Sequence, residues 1–188
     1  MMKIIPMAAA LGLTLALSIP AEAAGISISP LTKSLGVGDT VQFTVFADDI
    51  LSDFPLDAGG LTVTFAPSLI ELSNVTIASP WLGLAEPVID NTVGTISSIS
   101  FGASFGSNIF GSGIALINFT AKVLSGGSST ITVGEDTGNS PFVSGPDPLT
   151  LTPSSVSATI TTVSAVPLPA ALPLLLSGLL AVRRRRTS

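Results

Sequence analysis

Four aspartates crowd into a short stretch, Asp48, Asp49, Asp53 and Asp57. Carboxylates at that density could supply the hard oxygen ligands that Ca²⁺ takes. Their spacing departs from the twelve-residue EF-hand loop, and loop aspartates also cap turns or simply face water. Ser104 stands in Gly102-Ala103-Ser104-Phe105-Gly106, the spacing of a nucleophile elbow. Such a serine needs a histidine to take its proton and a helix behind it. The chain has no histidine. Lys122, a conceivable substitute base, faces outward on its predicted strand. The glycines therefore read as a bend between strands, with Phe101 and Phe105 packing inward. Asp136-Thr137-Gly138 would be catalytic only as one of two aspartates sharing a proton, and a single copy exists. A turn closed by the Asp136 side chain on its own backbone is the expectation. Trp81, the lone tryptophan in a chain without tyrosine, lies in Ser79-Pro80-Trp81-Leu82-Gly83. Two readings stay open for it: a platform on which a sugar ring stacks, or a loop aromatic plugging one end of the fold. With histidine and cysteine both absent, the commonest bases and nucleophiles are missing, and the chain reads as a non-enzyme.

The elements that must carry these residues are strands. Val41, Phe43 and Val45 alternate with Gln42 and Thr44, and Leu61, Val63 and Phe65 with Thr62 and Thr64. Ile117, Phe119, Ala121 and Val123 alternate with Asn118, Thr120 and Lys122, and Val156, Ala158 and Ile160 with Ser157 and Thr159. A period of two marks half-buried strands. Ile70 and Leu72 share one parity, Val75 and Ile77 the other, which predicts a bulge near Ser73-Asn74. Gly, Pro, Ser and Asp punctuate the rest, and no helical period with caps appears between residues 25 and 162. Many short strands with frequent turns predict an all-β sandwich.

Both ends differ from this body. Lys3, an apolar run over residues 4–19 and Pro20-Ala21-Glu22-Ala23 form a signal peptide, residues 1–23, cleaved after Ala23 or Ala24. The mature body between residues 25 and 166 then holds Lys33 and Lys122 against eleven carboxylates, a net charge of −9. Nucleic acid is excluded as a partner, because phosphate binding depends on Lys and Arg. At the other end Val166-Pro167-Leu168-Pro169-Ala170 precedes an uncharged run over residues 171–182, stopped by Arg183, Arg184, Arg185 and Arg186. An apolar run closed by cations is a membrane-retention signal, since Lys and Arg stay on the cytoplasmic side. The run is short beside the roughly 20 residues a span requires, and its prolines weaken the helix start.

The motif, the apolar run and the basic stop, in that order, resemble the VPLPA variant of the PEP-CTERM sorting domain. The resemblance covers residues 163–188 and implies processing by an exosortase at the inner membrane of a Gram-negative bacterium that makes exopolysaccharide. The body has a resemblance of its own. Gly38-Asp39-Thr40-Val41 opening a strand, Gly60 through Phe65-Ala66-Pro67, Leu69-Ile70-Glu71-Leu72, and the late strand from Ala115 to Val123 resemble a cohesin domain over residues 25–162. That implies a jelly-roll sandwich of about nine strands. Phe65-Ala66-Pro67 departs from the family's Tyr-Asp-Pro, which puts dockerin binding in doubt. The expectation is an exported surface or matrix protein, anchored at the membrane and then found at the cell surface or in the extracellular matrix. Exopolysaccharide or an envelope protein is its partner, with a carbohydrate-binding module and a true dockerin-binding cohesin as alternatives.

Overall fold

The computed structural model describes residues 24–163, apart from 106 and 152. The signal peptide at residues 1–23 and the sorting segment beyond Val163, including the C-terminal helix expected there, lie outside the described residues. In chain order the strands are β1 (Gly25–Ser29), β2 (Thr32–Leu35), β3 (Thr40–Asp48), β4 (Ala58–Thr64) and β5 (Ile70–Ile77). They continue with β6 (Leu82–Ala85), β7 (Val88–Asp90), β8 (Thr95–Gly102) and β9 (Ile114–Val123). β10 (Ser128–Glu135), β11 (Val143–Ser144), β12 (Asp147–Pro148) and β13 (Ser155–Thr162) complete the set.

Two sheets stack around one core. The smaller is antiparallel, in the order β1-β3-β9-β5. The larger has a spine β2-β13-β10-β4-β8, parallel only where β2 joins β13. The short strands β6 and β7 share β8 as partner, and the β11–β12 hairpin joins the start of β4.

The expected sandwich of about nine strands is present and is divided into thirteen among the described residues, in part because proline, which lacks an amide proton, interrupts pairing. Pro30 separates β1 from β2, where the chain changes sheets, and Pro87 separates β6 from β7. The β11–β12 hairpin is an addition carried between β10 and β13.

The alternating residues face the core as their period predicts. Phe43, Val45, Leu61, Val63, Ile117, Phe119, Ile131, Val133 and Ala158 have no exposed surface. Phe43 and Phe119 are direct partners across β3 and β9, their rings stacked 5.4 Å apart. Each Val, Leu, Ile or Phe among them stabilises the fold by about 1.5–3 kcal/mol on burial. The predicted irregularity in β5 is present: register against β9 shifts between Ser73 and Thr76, and Asn74 takes a left-handed φ of 53°. A second one lies in β8 at Ser98, φ 58°, opposite the register shift between Leu61 and Val63. Without disulfides, the core alone holds the sheets together. Among the described residues no helix is long and apolar enough to cross a membrane.

Candidate interaction surfaces

The loop from β3 to β4, residues 49–57, and the loop from β8 to β9, residues 103–113, meet at one end of the sandwich. Ile50 and Gly111 exchange backbone hydrogen bonds of 3.0 and 2.8 Å, and the Leu56 amide donates to the Ile109 carbonyl at 2.8 Å. Ile50 and Leu56 are buried beneath this pairing.

The four clustered aspartates all belong to this end, but the fold puts them to separate uses. The Asp48 carboxylate accepts from the Ser27 hydroxyl and, at 2.7 Å, from the Gly113 amide. Ser112 donates to Asp49 Oδ1 at 2.7 Å and accepts from the Asp49 amide at 2.9 Å. The Asp57 carboxylate accepts from the Gly145 amide, tying β4 to the β11–β12 hairpin. Asp53 is exposed at the tip. No group of three or more metal-ligating side chains forms among the described residues. Three of these carboxylates serve as loop staples.

Of the two readings of Trp81, the structure takes the packed one. It is only 6% exposed, its indole N–H donates to the Ala115 carbonyl at 2.9 Å, and its ring meets Phe101 edge-on at 5.1 Å. The ring is committed to packing, so it closes the end of the sandwich and offers no sugar platform. Phe101 in turn meets Phe142 edge-on at 5.5 Å.

Ser104 lies exposed in the β8–β9 loop, where its carbonyl accepts from the Ser107 amide at 2.9 Å. Phe101 packs inward as expected. Phe105 does not, and its ring stands fully in solvent. Together with exposed Leu51, Phe54 and Phe110 it leaves an apolar fringe on the acidic loop end. Asp136 closes its own turn, accepting from the Asn139 amide at 3.2 Å.

The outer face of the larger sheet has a different chemistry. Thr95, Thr64, Thr132 and Ser157 are successive direct partners across β8, β4, β10 and β13. Thr130, Thr159 and Thr32 form a second row, and Ser128, Thr161 and Ser34 a third. Hydroxyls within a row repeat at the strand spacing of about 4.8 Å, and rows stand about 6.7 Å apart, two residues along a strand. Thr132 and Ser157 are hydrogen-bonded, with hydroxyl oxygens 3.0 Å apart. Alternation that buries Val63, Ile131 and Ala158 necessarily presents these hydroxyls outward. This regular face is not legible along the chain, because cross-strand pairing, not spacing in the sequence, assembles it.

One shifted carboxyl sits at a turn. Asp90, ending β7, accepts from the Thr92 amide at 2.8 Å and the Val93 amide at 2.9 Å. Those amides, Val93 first and then Thr92, hold its carboxyl below the ordinary 3.8. It is a turn cap, remote from the loop end.

No protein-family model matches the chain, and no curated protein matches it in sequence. Solved structures do match. The third ScaC cohesin of Acetivibrio cellulolyticus, solved in complex with the ScaB dockerin, has a TM-score of 0.56 at 15% identity, over 75% of this chain and 99% of that one. A cohesin from Clostridium thermocellum in the Coh-OlpC-Doc435 complex gives 0.53 at 15%, over 75% and 95%. The type III cohesin of the ScaE cell-surface anchoring scaffoldin of Ruminococcus flavefaciens gives 0.54 at 17%, over 84% and 97%. At these identities the likeness establishes the fold: the body is a jelly-roll sandwich of the cohesin type.

Proposed function

We propose that this chain is an exported, membrane-retained interaction module without catalytic activity, and that its partner is a protein of the cell envelope. One observation carries the reading. Its body spans nearly the whole length of cohesin modules, and several of those were solved in complex with dockerins. The absence of histidine and cysteine from the chain agrees with a binding role. The VPLPA motif, residues 166–170, and the arginines at 183–186 support delivery by an exosortase. Crosslinking in intact cells, followed by purification through the body, is expected to recover one stoichiometric protein partner. Recovery of the body alone would sink the reading. Intact mass of the purified product is expected to show a new carboxyl end near Ala170, and an end at Ser188 would remove exosortase processing.

A second reading, binding of a neutral exopolysaccharide, is favoured by the hydroxyl rows on β8, β4, β10 and β13. Hydroxyls both donate and accept, so they complement a polymer of hydroxyls. With no aromatic platform or charged clamp in those rows, each sugar would be held weakly and only long chains would bind. Cosedimentation with long-chain polysaccharide, lost in Thr64→Val with Thr132→Val, would favour this reading; unchanged cosedimentation would remove it.

A further inference from the structure

The loop end holds a cavity of about 320 Å³ lined by Asp57, Ala103, Ser104, Phe105, Ser107 and Asn108. Asp57 and Phe105 both line it, and Phe105 is fully exposed. Asp57 is held in place, because one oxygen accepts from the Gly145 amide while its backbone carbonyl accepts from the Ala103 amide. A carboxylate has acceptor sites beyond that single bond.

The electrostatics of this end are one-sided. Asp48, Asp49, Asp53 and Asp57 all belong to it, whereas the body's two lysines lie toward the opposite end. Lys122 pairs with Thr40 and Glu71, and Lys33 with Ile160. The rest of the chain also leaves from that opposite end, since β13 finishes beside the start of β10. The acidic loops thus lie at the end of the body away from the point where the chain continues toward its C-terminal segment. Anionic lipid is repelled from such a surface, and a cationic partner is drawn to it.

We propose that this cavity receives the guanidinium of an arginine carried on a segment of the partner protein. The planar guanidinium stacks on the Phe105 ring and donates to the Asp57 carboxylate, a pairing that suits arginine better than lysine. Exposed Phe54 and Phe110 on the same end supply apolar contact for the flanks of that segment. The proposal rests on the protein-partner reading above and adds the chemistry of the partner.

Full-length protein in neutral detergent micelles is titrated against short labelled peptides of alternating Arg and Gly, with Lys-Gly and Glu-Gly counterparts, by fluorescence anisotropy. The Arg peptide is expected to bind more tightly than the Lys peptide, and the Glu peptide not at all. Phe105→Ala and Asp57→Asn each weaken Arg binding by about fivefold or more, while Glu86→Gln, the same charge removed elsewhere, stays within about twofold. Phe105→Leu abolishes the preference for Arg over Lys. Phe105 is fully exposed, and in Asp57→Asn the side-chain carbonyl still accepts from the Gly145 amide, so both variants retain the parent's melting temperature. Equal binding of Arg and Lys peptides, or a Glu86→Gln loss matching that of Asp57→Asn, overturns the site in favour of diffuse acidity. A protein partner still crosslinked in cells when the Arg peptide fails to bind overturns this site alone. Absence of any crosslinked partner overturns the wider reading and its occupant together.

Discussion

At the scale of single residues, the sandwich assigns roles that residue type alone left open. Trp81 carries the largest side chain in the sequence and spends it on the seam between the sheets, its N–H satisfied by Ala115. Truncating such a group removes its transfer free energy and leaves a cavity. Trp81→Ala is therefore expected to lower the unfolding midpoint by more than about 10 °C in a calorimetric scan, from a loss of about 3–5 kcal/mol. Ser129 shows the opposite case. It is 3% exposed and its hydroxyl is buried without a hydrogen-bond partner. Ser129→Ala removes that unsatisfied group, and denaturant unfolding is expected to show a gain of about 1 kcal/mol. Neither outcome was readable from the chain: a tryptophan between prolines and glycines, and a serine in an alternating strand, fit a surface as well as a core.

Strands and turns were more legible. The parity switch from Ile70 and Leu72 to Val75 and Ile77 located the β5 bulge, because a strand can move its apolar side chains to the other phase only by inserting residues. Asn74 sits there in the left-handed region, which asparagine tolerates and a β-branched residue does not. Asn74→Val is expected to cost about 1–2 kcal/mol, with Asn74→Gly close to the parent, in chemical denaturation. Gly94, at φ 83°, is bound more tightly still, since a Cβ there would collide with the Phe65 carbonyl.

The turn it closes also carries a pH signature. The Asp90 carboxyl is held below 3.8 in the folded state by the Val93 and Thr92 amides. Its contribution to stability is complete above the unfolded value and is lost as pH falls through the lower folded one. Melting temperatures measured from pH 6 down to about pH 2 should thus show a smaller acid-side decline in Asp90→Asn than in the parent. The short strands β6, β7, β11 and β12 had no comparable signal, being too brief to establish a period.

Across the whole molecule, the chain enters the described body at the loop end with Gly25 and leaves it at the far end after Thr162. Val163 is still tied in, its amide donating to the Leu35 carbonyl at 2.9 Å. A chain spanning residues 24–163 is expected to unfold in one transition at the temperature of the body in the full-length protein, and a drop of many degrees would show that residues beyond Val163 help to hold the fold. Polarity of charge follows the same axis, with both lysines toward the exit and the aspartate cluster at the loops. The amino-acid sequence by itself determined the strand class, the core positions of the long strands and the acidity of the body. Those properties depend on neighbours along the chain, through the period of two and through composition. Only the tertiary structure decided that Trp81 is buried and Phe105 exposed, that Asp48, Asp49 and Asp57 serve separate contacts, and that the hydroxyls of β8, β4, β10 and β13 align in rows. Each of these depends on which strands pair and in what register, a choice settled by burying two sheets against one another, with partners tens of residues apart.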